Sequence, residues 1–483
     1  LAAIIRSPGN YDPADEDNIP RLEGRWTYVL DGMVEKGWIT ADEQAAAEFP
    51  EFKQPRPANT FGGTNGYLLQ AVLAELEAKG ITEDELNRGG LRVTSTFDRT
   101  MQRAAVAAVK AEGPTSGTKG LRIGLAAVRP GTGEVVAMYG GRNFLTNQVN
   151  NATQAIGQAG STFKPFALAA GIEKGISLDS IWNGNTGVTI DDYVVNNYGD
   201  RSWGKITLLQ GTEQSVNSVY VALSKETGYD AVADAARRAG IVTDTLQPVR
   251  SVALGVASPH VIEVADAYAT FAARGAQTKS TFILEIKGAN GGVLFVLEPE
   301  PVQAFDSNTA DVVNYALRRV VTNGTGFAAQ ALGRPAAGKT GTTNGNLSAW
   351  FAGYTPDLAA AVMLVKDDED GNPMTLAGVG GMTSVTGGSF PARIWTAFMR
   401  GALEGSPVQS FVEPIDLPTA SPTVTVSESP SPSPTTESPT PTPTTTTPTP
   451  TPSSSSPSPT TSSPQPQPTG TGPDPAASGA GAP

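Results

Sequence analysis

The 483-residue chain has no cysteine, which removes disulfides, thiolate metal sites and cysteine nucleophiles in one step. It leaves the compartment open, because an exported protein can simply avoid cysteine. Histidine is nearly as scarce. His260 alone would have to serve a Ser-His-Asp hydrolase, and it follows Ser258-Pro259 where a helix is expected to start, a surface or capping position. One imidazole also builds no metal site unaided. Positive charge is lacking: the formal net charge is −13 and no Lys/Arg stripe appears, which argues against nucleic acid as a partner. No apolar run approaches the ~18 residues of a membrane helix. The longest clean run, "LAAAVMLV" (358–365), reads as a strand. No signal peptide is present. The chain opens on "LAAIIRSPGNYDP" as if in mid-domain, so it is expected to be a fragment whose N-terminal membrane anchor lies outside it.

What is plentiful is proline, and it is unevenly placed. Of 38 prolines, 20 fall between Pro414 and Pro483, mixed with Ser and Thr. Such a segment has little apolar surface to set against its ordering entropy, so it is expected to be disordered and extended. Its composition resembles a cell-surface stalk. The folded part is then the first 410 residues or so, ample for a large core.

Periodicity gives a run of elements. "RLEGRWTYVLDGMVEKG" has an apolar face of Leu22, Trp26, Val29, Leu30 and Met33, and Thr40 to Glu43 has the form of a capping box. A helix is expected near 66–79, then a strand in "GLRVTSTFD", with Asp98 capping the next helix. "RIGLAAV" and "VVAMYGG" form a hairpin, and "AGSTFKPFALAAGIEKG" reads as one helix from Ser161 to about Lys174. Helices dominate the middle of the chain. "AAGKTGTT", "SAWFAGYT" and "LAAAVMLV" form a strand meander turning at Pro356–Asp357, and an amphipathic helix follows. The order suggests an α+β fold: one antiparallel sheet assembled from both chain ends, with helices around it and a helical subdomain.

Three short motifs could carry chemistry. Ser161 and Lys164 are three apart and share a helix face. On this tetrapeptide alone Ser161 reads first as an ordinary helix N-cap, because S-x-x-K is a weak pattern. As a nucleophile it would have backbone N–H groups nearby to favour negative charge, and an amine one turn on to take its proton. Lysine has an ordinary pKa of about 10.4, and serving as a base near neutral pH needs a fall of about 3 units, or about 4 kcal/mol. That requires burial and a second cation, so another lysine should converge on the site. "SVN" puts Ser215 and Asn217 between two helices, either as a cap or as a functional turn. "KTGT" puts Lys339, Thr340, Gly341 and Thr342 on or beside a strand, where the glycine lets another backbone approach.

In this order the three match S-x-x-K, S-x-N and K-T-G, the motif set of penicillin-binding proteins and class A β-lactamases, with Val216 at the middle position of the second. The chain resembles class A penicillin-binding proteins over nearly all its folded length. "NNATQAIGQAGSTFKPFALAAG", "WGKITLLQGTEQSVNSVYVA", "GRPAAGKTGTTNGNLSAWFAGYTPD" and "TGGSFPARIWTAFM" are similar to successive blocks of that family. One departure is Ser348, where the resemblance leads to an aspartate. The resemblance implies a β-lactamase/DD-peptidase-like fold with residues 1–55 as the end of a glycosyltransferase module, 56–90 a linker region, 91–405 the transpeptidase domain and 406–483 the disordered tail. The glycosyltransferase's acidic catalytic motif, E-D-x-x-F-x-x-H, is absent, so only the intact parent is expected to polymerise glycan.

The resemblance also implies roles. Ser161 would be the acylated nucleophile, Lys164 its base, Ser215 a proton relay and Lys339 the cation that holds it. Asn217, Thr340, Gly341 and Thr342 would bind substrate, and the backbone N–H groups of Ser161 and Thr342 would form the oxyanion hole. The implied activity is D,D-transpeptidation of peptidoglycan stem peptides ending in D-Ala-D-Ala, outside the cytoplasmic membrane. β-Lactams would be covalent inhibitors, cell-wall or division proteins further candidate partners, and no cofactor or metal is implied. A serine β-lactamase or D,D-carboxypeptidase on the same fold, or a non-catalytic penicillin-binding sensor, remain alternatives. Against the lactamase, no E-x-x-L-N segment lies between the second and third motifs, and Glu263 reads as an exposed helix residue. "GRPAAGKT" (333–340) also fits the phosphate-loop pattern G-x-x-x-x-G-K-[ST], but Pro335 sits inside the loop and no helix follows.

Overall fold

The computed structural model describes residues 2–13, 15–52 and 61–415. The anticipated disordered tail lies, from 416 onward, outside the described residues, as does 53–60 at the junction with the anticipated linker.

Five strands form the main sheet: β1 (Leu121–Val128), β2 (Val135–Tyr139), β3 (Ala337–Thr342), β4 (Ser348–Thr355) and β5 (Leu358–Lys366). Their order is β3-β4-β5-β1-β2, with every neighbouring pair antiparallel. The N-terminal hairpin thus pairs with the C-terminal meander, as expected from the order of elements. The join is β5 on β1, where Val362 faces Leu125.

Both faces of this sheet are covered, so β1, β2, β4 and β5 are largely apolar while their side chains still alternate; β3, with the sequence AGKTGT, is the exception. Seven helices matter here: α1 (Arg99–Glu112), α2 (Lys164–Glu173), α3 (Leu208–Glu213), α4 (Asn217–Thr227), α5 (Val261–Ala272), α6 (Ser307–Asn323) and α7 (Phe390–Ala402). Leu125, Ala127, Phe351, Val362 and Leu364 share one core with α1 and α7. Ala126, Val128, Trp350, Ala352 and Met363 face the opposite core, with α2, α4, α5 and α6. Asp98 starts α1 as expected, accepting from Thr100 N and Met101 N at 2.8 and 2.9 Å.

A smaller antiparallel sheet joins Arg92–Ser95, Ile283–Lys287 and Val293–Val296, and the helix Asn65–Ala78 packs on it through Val72 and Leu76. The N-terminal helix Ile19–Glu35 forms, and Thr40 and Glu43 make the expected capping box. Of its apolar face only Leu22 is buried. At the other end, residues 406–415 run extended along the domain. Phe411 is buried edge-on to Tyr354 with ring centroids 5.8 Å apart, and Glu413 pairs with Arg318. One aromatic ring gives this stretch apolar area to bury.

The phosphate-loop match does not form such a loop. Its Lys339 and Thr340 lie within β3, and a short turn and β4 follow instead of a helix. Trp395 of α7 locks the sheet from one side. It is fully buried, and its Nε1 donates to the carbonyls of Gly353 and Ala360, each at 3.1 Å, bridging β4 and β5. Trp395→Ala is therefore expected to lower unfolding stability by about 3–5 kcal/mol, read as a fall in the denaturant midpoint at unchanged m-value. A loss below about 1 kcal/mol would contradict the bridging role.

Candidate active site

Ser161 does not begin a single long helix. Residues Gly160–Phe163 form a 3-10 turn, and the α-helix starts at Lys164 with Pro165 in its first turn. The turn is held from three sides. Ala159 N and Gly160 N donate to Ala257 O and Gly255 O at 2.9 and 3.0 Å, and the buried Tyr268 hydroxyl donates to Thr162 O at 2.9 Å. Gly160 has φ +58°, and a Cβ there would stand 3.1 Å from Thr342 N. Gly255 is tighter still: a Cβ on it would meet Gly160 O at 2.0 Å. Gly341 passes close to the same turn, as the K-T-G pattern suggested, since its Cβ would lie 2.5 Å from Ala159 O.

Ser215 is placed by the end of α3. Thr207 and Gln210 cap that short helix reciprocally. At its other end Ser215 N donates to Thr212 O and Val216 N to Gly211 O, at 3.1 and 2.8 Å. This is a Schellman closure, and its left-handed position normally belongs to glycine. Here it holds Ser215 with φ +58°. A non-glycine residue there costs of order 1–3 kcal/mol, and what the strain gains is the aim of Oγ. Asn217 opens α4 directly afterwards.

The three motifs converge on Ser215 Oγ. Lys339 Nζ donates to it at 2.7 Å and to Thr340 O at 3.1 Å. Lys164 Nζ lies 3.2 Å from the same oxygen, 2.5 Å from Ser215 O and 2.8 Å from Asn217 Oδ1. None of these bonds of Lys164 goes to Ser161 Oγ. The Lys164 ammonium also stands 5.4 Å from the centre of the Tyr220 ring. Both lysine side chains are wholly buried, and among the described residues neither pairs with a carboxylate. Burial holds Lys164 well below its ordinary 10.5, and the nearby charge of Lys339 lowers it further. Burial brings Lys339 down to about 7. A neutral Lys164 keeps two donors, enough for Ser215 O and Asn217 Oδ1, and frees a lone pair to accept a proton.

The remaining candidates surround this centre. Asn217 Nδ2 donates to Asn196 O at 2.8 Å, leaving one amide N–H unspent. Thr342 Oγ1 accepts from Gly387 N at 3.1 Å, and Thr340 Oγ1 is 2.7 Å from Thr325 Oγ1. Thr325 carried no signal in the sequence. Its N–H donates to Glu213 O at 3.1 Å, so it ties the end of α3 to β3 across the site. Ser348 donates to Gln158 O at 2.6 Å, as Trp350 Nε1 does at 2.9 Å. It steadies the segment before Ser161 without touching the reacting groups.

Glu263 needs correction: it is buried, not exposed. One carboxylate oxygen accepts from His260 N at 2.7 Å and the other from Val242 N at 2.8 Å, because the N-terminus of α5 packs against the 242 loop. Both oxygens are spent on backbone, away from Ser161. His260 is the N-cap of α5, with Nδ1 3.2 Å from Ala155 O.

Comparison with known proteins places this geometry. The family described as penicillin binding protein transpeptidase domain matches residues 123–375, which includes all three motifs. The chain belongs to the penicillin-binding protein transpeptidase family. Penicillin-binding protein 1A of Mycobacterium tuberculosis is 35% identical over 446 residues, which cover 86% of this chain and 53% of that relative. Penicillin-binding protein 1A of Mycolicibacterium smegmatis is 34% identical over 445 residues, or 86% of this chain and 55% of the relative. The chain therefore spans about half the length of these curated relatives. The solved structure of the PonA1 protein from Mycobacterium tuberculosis in complex with penicillin V superposes with a TM-score of 0.66 at 33% identity, covering 74% of this chain and 97% of that one. Taken together, these matches show a β-lactamase/DD-peptidase-like α+β fold and the transpeptidase part of a class A penicillin-binding protein, with little of the glycosyltransferase module.

Two outcomes follow for a penicillin-binding transpeptidase domain built this way. Gly255→Ala should displace the Ser161 turn, because the added methyl meets Gly160 O and the residue has φ +67°. Covalent labelling by a fluorescent penicillin should fall at least tenfold, with the far-UV CD spectrum kept; unchanged labelling would show that the turn does not depend on this contact. The second outcome concerns pH. Unfolding returns Lys339 from about 7 to the ordinary 10.5, so between these values the unfolded chain binds more protons. Stability from this group is lowest below pH 7, rises from about 7 to 10.5 and then levels off. Denaturant unfolding from pH 6 to 9.5 should show a smaller rise for Lys339→Met than for the parent chain. Parallel pH profiles would show that the amine is not depressed.

Proposed function

We propose that the chain is a D,D-transpeptidase that works through a serine acyl-enzyme. The observation that carries this reading is the pair of buried lysine amines on either side of Ser215 Oγ. In the proposed reaction neutral Lys164 takes the Ser161 hydroxyl proton as Oγ attacks the carbonyl carbon of the penultimate D-Ala of a stem peptide. The carbonyl oxygen becomes an oxyanion between the N–H groups of Ser161 and Thr342. Collapse breaks the C–N bond. The leaving amine of the terminal D-Ala takes a proton through Ser215, which is replenished from the protonated lysine pair, and D-Ala departs. An amine from a second stem then attacks the ester, loses a proton to the same relay and releases Ser161, leaving a peptide cross-link.

Binding groups are assigned in the same reading. Thr340 and Thr342 bind the terminal carboxylate beside the charge of Lys339, with Gly341 allowing close approach, and the unspent N–H of Asn217 binds a backbone carbonyl of the stem. Penicillin would acylate Ser161 by opening its four-membered ring. For the longer protein we propose that residues 1–55 end a glycosyltransferase module, that 56–90 link it to the catalytic domain of 91–405, and that an N-terminal anchor holds the enzyme outside the cytoplasmic membrane. Among the described residues no helix is long and apolar enough to cross a membrane.

The test is intact-mass analysis after incubation with benzylpenicillin. A single penicilloyl adduct mapping to Ser161 and persisting for many minutes is expected. Ser161→Ala should abolish it, and Lys164→Ala should slow its formation by about 10²–10⁴-fold, the usual worth of a positioned base. An adduct that survives Ser161→Ala defeats the assignment of the nucleophile. Rapid penicillin turnover would make the chain a β-lactamase instead.

A further inference from the structure

The segments tied to Asn217 and to Thr342 touch each other. One is the segment 196–198, fixed to the start of α4. Asn217 donates to Asn196 O at 2.8 Å. The buried Asn197 accepts from Ser218 N at 3.1 Å and donates to Gly184 O and Arg201 O at 2.8 and 2.9 Å. The other is the segment 384–387, fixed to β3 and its turn. Asn346 and Val385 exchange two hydrogen bonds, at 2.6 and 2.9 Å, and Gly387 N donates to Thr342 Oγ1. Gly387 lies so close that a Cβ on it would stand 2.7 Å from Gly341 O.

Between these anchored segments runs one exposed contact: Tyr198 Oη and Ser384 Oγ are 3.2 Å apart. Tyr198 is 67% exposed although its flanking asparagines are held. The phenol is thus a stiff arm projecting from the Asn217 side and ending on the Thr342 side. Its hydroxyl finds no buried partner; it finds the opposite rim. An extended ligand held between Asn217 and Thr342 would meet the two segments that this pair joins.

We propose that Tyr198 and Ser384 form a removable bar across the substrate cleft, which an extended, peptide-like ligand displaces on entry. The proposal rests on the transpeptidase reading above. Opening it costs an entering ligand little, because one solvent-exposed hydrogen bond contributes modestly. Opening it releases two hydroxyls, each both donor and acceptor, at the height where the backbone of a stem peptide or the amide side chain of a penicillin would lie. The pair therefore acts on ligand entry and leaves the lysine relay untouched.

The test is a double-mutant cycle on the acylation rate with benzylpenicillin, using Tyr198→Phe, Ser384→Ala and both together. Tyr198→Phe retains the ring and removes only the hydroxyl. Each single variant should raise the apparent second-order acylation rate constant about two- to tenfold, the span expected for loss of one exposed hydrogen bond. The double variant should match the singles, because all three lose the same bond. The deacylation rate should not change. Unchanged or slowed acylation in the single variants, or effects that multiply in the double variant, would overturn the bar. A parent chain that takes no penicillin at all defeats the transpeptidase reading itself. Acylation of the parent with flat variants defeats only this inference.

Discussion

Two buried lysine amines share one serine oxygen, and much of the surrounding structure serves that arrangement. Lys164 and Lys339 are both fully buried with no carboxylate pairing them among the described residues. Keeping both charged there is expensive, and burial lowers the proton affinity of both amines. The hydrogen bonds to Ser215 O, Asn217 Oδ1 and Thr340 O keep the amines in place whichever of them carries the proton. The charge of Lys339 lowers the proton affinity of Lys164 beyond what burial does, and the Ser215 hydroxyl lies between the two amines.

That arrangement needs three distant pieces of backbone at ångström tolerance, and the fold meets the need by close backbone contact. Gly160, Gly255 and Gly341 let the Ser161 turn, the 255 loop and β3 press together where any side chain would collide. Ser215 goes the other way and occupies a left-handed position where glycine is usual. The molecule uses glycine where backbones must meet and accepts strain where a hydroxyl must be aimed. Thr325 and Ser348 add polar ties from outside the reacting groups, to β3 and to the segment before Ser161.

The sheet explains why the tolerance holds. β3 is an edge strand, and it is supported by β4 and by cores on both faces of the sheet. Trp395 ties β4 to β5 from below, and Tyr268 reaches from α5 on the upper side to the turn that carries Ser161. The free edge of β3 faces the cleft. The 384–387 segment backs the end of this strand through Thr342.

The sequence by itself determined the local matters. S-x-x-K, S-x-N and K-T-G, the cap at Asp98, the capping box at Thr40 and the meander turning at Pro356–Asp357 are set by neighbours within a few residues, and spacing exposes them. It also carried the family resemblance, since the blocks around each motif are continuous. Tertiary structure decided what depends on partners far along the chain. The 3-10 geometry at Ser161 comes from packing on Gly255 and Ala257, the burial of Glu263 from the 242 loop, and the place of Thr325 from two elements at once. Above all, the lowered basicity of Lys164 and Lys339 exists only when the fold buries both side chains. A lysine in a sequence has an ordinary pKa; burial beside a second lysine is what changes it.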